Sequence, residues 1–268
     1  MHYIQDLQNT IHINHPLCSA TIFKQGAQLI SWFPKGASEV FWSADKINYE
    51  KGKAFRGGIP VCWPWFGKSK SPSHGFARIM LWELVEQESH ANGVILKFTL
   101  NDTAKTREIW PHPFKLVLEM SLGLSCEINL HIDASLETTG ALHTYLKTDK
   151  ISQAYITGLG KHYIDALQSG KSCSADNDLI INEEVDRIYT LAMTENKLID
   201  RNRTIHITHK NNNDVVVWNP WIKTSSQLED MKQNDYKQMV CIETAKINTK
   251  FNNNDYLAVK INLINTKE

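Results

Sequence analysis

Two histidines, one late glutamate and two arginines hold most of the chemistry that this chain of 268 residues could perform. Glu243 lies in MVCIETAKI, directly after Val240, Cys241 and Ile242. A carboxylate in such an apolar run either faces out of its strand or is held by partners in a cleft. In a cleft, desolvation would raise its pKa and make it a useful base. His143 lies in ALHTYL, where a strand would place Ala141, His143 and Tyr145 on one face and Leu142, Thr144 and Leu146 on the other. His74 lies in SHGFAR. Histidine titrates near neutrality, so either ring could donate or accept a proton at working pH. Taken singly, each could equally be a structural histidine with its hydrogen bonds satisfied. Arg56 and Arg78 each offer a planar fork of donors that matches phosphate or carboxylate oxygens, the plainer alternative being a surface salt bridge. The other histidines show no ligand spacing. His206 and His209 stand three apart in a strand-like run, which puts them on opposite faces and argues against a metal site there. No metal and no cofactor is expected.

The two arginines bracket the segment FRGGIPVCWPWFGKSKSPSHGFAR, residues 55–78. Rich in glycine and proline, it breaks the surrounding alternation and should follow a fixed, irregular path, as a loop does when it sets side chains over a cleft. The competing reading is a tight structural corner whose Trp63 and Trp65 fill the core.

The elements that would carry these residues read as strands. Val94, Leu96, Phe98 and Leu100 share one face of a run against Lys97 and Thr99. In 114–124, Phe114, Leu116, Leu118, Met120, Leu122 and Leu124 alternate with Lys115, Glu119 and Ser121. The run 127–137 repeats the pattern through Ile128, Leu130, Ile132, Ala134 and Leu136, and the pair predicts a hairpin across Leu124–Ser125–Cys126. Similar runs occur at 20–33, 141–147, 204–210, 214–218 and 256–264. Such alternation describes antiparallel strands with one wet face. Helix signals are few: Ser226 followed by Glu229 predicts a capping box and a short helix through about Met231. Asn211–Asn213 and Asn252–Asn254 read as loop tips. With no linker and no internal repeat, the chain is expected to be all-β, a large antiparallel sandwich in one domain spanning 1–268. Periodicity alone does not separate a sandwich from a barrel.

Composition narrows the partners. Basic and acidic residues balance at 29 each, so no net field draws the chain to nucleic acid or an anionic membrane. No apolar run approaches the roughly 20 residues that span a bilayer, and MHYIQDLQNT does not read as a signal peptide. Five scattered cysteines suit neither a disulfide framework nor a zinc site. A small-molecule partner, a monomer and a cytoplasmic setting are expected.

The same segments resemble the aldose 1-epimerase family, in its hexose-6-phosphate mutarotase branch. The stretches FRGGIPVCWPWFG (55–67), SHGFAR (73–78), ALHTYL (141–146), YIDA (163–166), VDRIY (185–189), VVVWNPW (215–221) and MVCIETA (239–245) follow the family's sequence blocks in order. The Arg-Gly-Gly loop, HGFAR and the late Cys-Ile-Glu block point to the branch. The resemblance implies a galactose-mutarotase-like supersandwich and interconversion of hexose 6-phosphate anomers without metal, redox step or covalent intermediate. Glu243 then resembles the general base, a carboxylate, and His143 the general acid, an imidazolium. His74 matches the histidine that holds the ring and O5 side. Arg56 and Arg78 look like phosphate-binding arginines, and Asp186 resembles the carboxylate that binds sugar hydroxyls. Where the family often has glutamine before the HGFAR histidine, this chain has Ser73, so the substrate hydrogen bond of that position does not carry over. A non-catalytic carbohydrate-binding protein would need no acid–base pair. A glycoside hydrolase would usually need two carboxylates, which the apparent pairing of Glu243 with a histidine argues against.

Overall fold

In the computed structural model, which describes residues 3–44, 50–175 and 178–265, the alternating runs form antiparallel strands in three sheets. The N-terminal sheet has four strands, from Ile4–Asp6 to Gln28–Pro34. A nine-stranded sheet runs from Leu179–Ile180 through Arg203–Lys210, Asp255–Asn265, Ser125–Ala134, Phe114–Leu122 and Gly93–Asn101 to the edge strand Glu83–His90. An eight-stranded sheet has Met239–Phe251 near its middle, with Asp214–Asn219 and then Val185–Thr190 on one side. On its other side it pairs with Thr138–Leu142 and Tyr145–Lys147.

The two large sheets pack face to face. Leu96, Phe98, Leu116, Leu118, Ile205, Ile207, Val259 and Ile261 of one join Leu142, Leu146, Val215, Val217, Val240 and Ile242 of the other in a single apolar core. In Phe114–Leu122 every second residue is buried, as the alternation predicts. The first eight residues of Met239–Phe251, MVCIETAK, are all buried, because this central strand is covered on both faces. That explains why its sequence lacks a wet face.

Three expectations shift. The chain reverses at Gly123–Leu124, slightly earlier than predicted, with Leu122 opposite Cys126. Gly123 occupies the corner because a Cβ there would run into the carbonyl of Asn92. The run at 20–33 divides into Cys18–Phe23 and Gln28–Pro34 around a tight turn. The predicted helix from Ser226 is instead Trp221–Gln227. Asn219 and Pro220 start it: the Asn219 carboxamide oxygen accepts from the Trp221 amide at 2.9 Å, and proline at a helix start has no N–H to lose. Ser226 lies in its last turn, its hydroxyl donating to the Lys223 carbonyl at 2.7 Å rather than capping anything.

One polar network crosses the core. His209 Nε2 lies 2.8 Å from the Asn196 carboxamide oxygen and Nδ1 lies 2.7 Å from the Thr244 hydroxyl. The first partner can only accept, so Nε2 carries the proton and a neutral ring satisfies both bonds. Burial pushes the His209 pKa down to about 4. A folded pKa below the unfolded value means that the unfolded chain binds the extra proton first, so stability is lost as pH falls from about 6.5 toward 4. At about 1.4 kcal/mol per pKa unit, His209 alone should remove about 2 kcal/mol between pH 7 and pH 5. Urea unfolding at the two pH values should show this loss, and His209→Gln should reduce it. The same pH slope in the variant would contradict the assignment.

Candidate active site

The strand period and register place the chemistry on the outer face of the eight-stranded sheet. In Met239–Phe251, Val240, Ile242 and Thr244 point into the core, so Cys241 and Glu243 point away from it. Glu243 lies opposite Val216, and Cys241 opposite both Trp218 and Tyr145. Trp218 in turn lies opposite Asp186. Asp186 therefore sits two strands from the Glu243 strand, about 10 Å at normal strand spacing. That separation suits a sugar ring lying between them.

The loop 55–78 folds over this face. Trp63 and Trp65 are buried, as the structural-corner reading expects, while Arg56, His74 and Arg78 are half-buried and Lys68, Ser69, Lys70 and Ser71 are exposed. Trp63 donates to the Thr138 hydroxyl at 2.9 Å and packs against Trp110 and Phe114. Gly75 is required by close approach: its φ is +71°, and a Cβ would strike the Trp63 carbonyl. His74 also adopts a left-handed φ of 61°, a conformation costly for a side-chain-bearing residue and concentrated at functional sites. Its amide donates to the Gly67 carbonyl at 2.7 Å and its Nδ1 accepts from the Gly67 amide at 3.4 Å. Nδ1 as acceptor leaves Nε2 to carry the proton. Burial, then Arg78, Arg56 and Lys68, push the His74 pKa down to about 3, so this ring is a neutral N–H donor.

His143 lies at the break between Thr138–Leu142 and Tyr145–Lys147, its amide donating to the Pro60 carbonyl at 3.0 Å. Its Nε2 is 3.4 Å from Glu243 Oε1. The His74 ring centroid is 5.7 Å away, and the Tyr145 ring stacks on His143 at 4.7 Å and 4°. Burial holds the His143 pKa well below the usual imidazole range, with His74, Arg78 and Arg56 adding to it. Burial, then Asp186, raises the Glu243 pKa well above the usual carboxylate range, and Arg78 opposes this. Both shifts favour the uncharged forms, a protonated Glu243 facing a neutral His143. This differs from the expected carboxylate and imidazolium, because desolvation penalises the two charges separately. The two arrangements share one proton count and differ only in which partner carries the proton.

Arg56 donates through Nε to Asp230 at 2.9 Å and through Nη1 to the Tyr145 hydroxyl at 3.3 Å, its guanidinium over the Trp218 ring at 5.8 Å. Arg78 donates to the Ser73 backbone carbonyl at 2.7 Å. Ser73 itself turns its hydroxyl to Gly67 O at 3.3 Å. Asp186 is half-buried, its pKa raised by that burial and by Asp165 and Glu184, with Lys68 opposing. Among the described residues, six buried side-chain polar atoms lack a hydrogen-bond partner, and Arg78 Nε, His143 Nδ1 and Glu243 Oε2 are three of them. Buried polar groups are normally satisfied, so their concentration at one point marks a place built to meet a polar ligand.

All six residues singled out from the sequence are thus gathered on one part of the molecule, with His74, Arg78 and Arg56 in electrostatic reach of His143, and Asp186 and Arg78 in reach of Glu243. Tyr145, Trp218, Asp230 and Lys68 join them. Tyr145 was already on the predicted His143 face, and Trp218 lies in the VVVWNPW stretch. Asp230 and Lys68 carry no local signal. No group of three or more metal-ligating side chains occurs among the described residues, and none of their helices is long and apolar enough to cross a membrane.

Residues 9–255 match the aldose 1-epimerase family. A protein of Escherichia coli strain K12, provisionally named a glucose-6-phosphate 1-epimerase, is 38% identical over 90% of this chain and 84% of its own. One of Haemophilus influenzae with the same provisional name is 32% identical over 89% and 85%. The crystal structure of a provisionally named mutarotase from Salmonella typhimurium superposes with a TM-score of 0.94 at 35% identity, over 98% of this chain and 93% of that one. Galactose 1-epimerase from Lactobacillus acidophilus shares the fold at 11% identity, with a TM-score of 0.75 over 96% and 95% of the chains.

Proposed function

This chain belongs to the aldose 1-epimerase family and is an isomerase, and we propose that it interconverts the α and β anomers of a hexose 6-phosphate, glucose 6-phosphate foremost. The observation that carries the reading is an imidazole and a carboxyl facing each other at 3.4 Å, with two arginines in electrostatic reach of the imidazole. The substrate itself rests on the names of the relatives and on those arginines.

Ring opening needs a proton to leave the C1 hydroxyl while another reaches the ring oxygen. In the ion-pair tautomer, Glu243 takes the first and His143 supplies the second as the C1–O5 bond breaks. The product is an open aldehyde facing a protonated Glu243 and a neutral His143, which is the tautomer that burial favours. After rotation about C1–C2, the C5 oxygen attacks the other face of C1 and gives its proton to His143, while Glu243 returns one to O1. The pair keeps a single proton count throughout, so no exchange with solvent is required. Arg78 favours the Glu243 carboxylate and disfavours the His143 imidazolium, so its charge acts on both halves of the pair in opposite senses. His74, as a neutral donor, suits the ring-oxygen side, and Asp186 suits a sugar hydroxyl.

One apolar cluster that runs from Ile11 to Ile261 supports reading residues 1–268 as one catalytic domain. Five free thiols, four of them buried, support a reducing cytoplasmic setting.

NMR exchange between anomers, measured on glucose and glucose 6-phosphate side by side, tests the proposal. Arg56→Met should raise KM for the phosphorylated sugar roughly 10- to 100-fold, the worth of a hydrogen bond to a charged group. Glucose turnover should barely change. Arg78→Met should weaken the phosphorylated sugar similarly and also slow glucose, because Glu243 loses its cation. Equal losses on both sugars in a stable Arg56 variant would remove the phosphate assignment. No anomer exchange at all in the wild-type protein would leave a carbohydrate-binding protein of the same fold.

A further inference from the structure

Tyr145 touches both halves of the candidate site. Its ring lies parallel to the His143 ring, with centroids 4.7 Å apart and planes within 4°. Trp42 stacks on it at 5.9 Å, and Trp218 meets it edge-on at 6.2 Å. Its hydroxyl accepts from Arg56 Nη1 at 3.3 Å. The backbone is fixed as firmly as the ring: its amide donates to the Gly58 carbonyl at 2.9 Å, and its carbonyl accepts from the Trp42 amide at 3.0 Å. The side chain is only 3% exposed, and burial raises the phenol pKa, so the hydroxyl keeps its proton and acts as a neutral partner.

Resting on the hexose 6-phosphate reading above, we infer that Tyr145 is a positioning residue that couples the phosphate-binding arginine to the acid. The geometry divides its work. The ring fixes the plane of an imidazole whose Nδ1 has no hydrogen-bond partner, so stacking replaces the bond that would otherwise orient a catalytic histidine. The hydroxyl holds one arm of the Arg56 fork while Asp230 holds Nε, and neither bond uses Nη2. A phosphate bound at Arg56 therefore presses on the side chain that aligns His143. Part of its binding energy then appears in kcat as well as KM, the pattern expected when remote binding serves the reacting centre.

Two variants separate the halves. Tyr145→Phe keeps the stack and loses the hydroxyl. It should raise KM for glucose 6-phosphate roughly 3- to 10-fold and lower kcat on that sugar, with a clearly smaller loss on glucose. Tyr145→Leu keeps apolar bulk and loses the ring. It should lower kcat on both sugars at least about tenfold and alter the pH profile of kcat, because the imidazole is no longer held. Melting temperatures identify any misfolded variant, and Tyr145→Phe, which removes one oxygen, keeps the test available if Tyr145→Leu fails to fold. Equal losses on both sugars in Tyr145→Phe, or wild-type kcat in a folded Tyr145→Leu, would overturn the inference. Arg56→Met reports separately on the phosphate reading. A wild-type KM for glucose 6-phosphate in that variant sinks that reading, whereas a normal Arg56 effect with a silent Tyr145→Phe sinks only the role given to the hydroxyl.

Discussion

Glu243→Gln should lose roughly 10²- to 10⁴-fold in anomer exchange, the usual contribution of a positioned acid or base, while binding glucose 6-phosphate nearly as well as the wild type. The amide keeps the shape of the carboxyl and fits the same buried space, but it cannot take the C1 proton. The stability of this variant should move in the opposite direction. Burial raises the Glu243 pKa well above the ordinary value, so its favourable contribution is present below about pH 4.3 and is lost as pH rises toward the folded pKa. Glutamine has no such dependence. The variant should therefore match or exceed the wild type in stability above that pH, with an advantage that grows as pH rises from about 4.3 toward the folded pKa. Thermal unfolding across that range, alongside the exchange assay, checks both halves. Wild-type turnover would remove Glu243 as the base. A variant that weakens relative to the wild type as pH rises would mean that the carboxylate has partners that stabilise its charge.

His143→Gln should cost a similar factor in kcat, because proton transfer to O5 then falls to water or to no group at all. The informative measurement is the double variant. Glu243 and His143 act in one transition state and exchange the same proton, so removing the second after the first should add little to the loss. A double variant near the product of the two single losses would place the residues in separate steps. With each single loss at about 10³, product behaviour would mean about 10⁶, which is easily distinguished from a shared loss.

The parts of this molecule that were readable from sequence depend on neighbours along the chain. Phe114–Leu122 and Gly93–Asn101 alternate because one face of each is core, and that period survives whatever the strands pair with. His143 and Tyr145 were assigned to one face by counting, and the stacked rings agree. Glu243 could not be assigned to either face by the same count. Its strand is buried on both sides, so the apolar run around it hides the register that only sheet pairing supplies. Asp230 was invisible for a different reason. It meets Arg56 across 174 residues of sequence, and nothing local distinguishes it from any loop aspartate. The helix at Trp221–Gln227 was misplaced because Ser226 and Glu229 imitate a cap, whereas the effective signal was the asparagine–proline pair before it. The balance between the two protonation forms of the acid–base pair was likewise not legible, because it follows burial, which a sequence does not print.

The doubly covered strand Met239–Phe251 also polices its own alignment during folding. Glu243 and Thr244 are adjacent, one turned to the cleft and the other bonded to His209 between the sheets. A slip of one residue against Asp214–Asn219 would exchange their faces. It would push a carboxyl into the hydrocarbon interior beside His209 and turn Ile242 out toward the arginines. An unpaired buried carboxylate costs several kcal/mol, and the orphaned His209 network would add to it. Misaligned pairings of the central strand are thus among the least stable that the chain can form. The residues that give the cleft its reactivity also act as an alignment check, one that a purely apolar strand of the same length would lack.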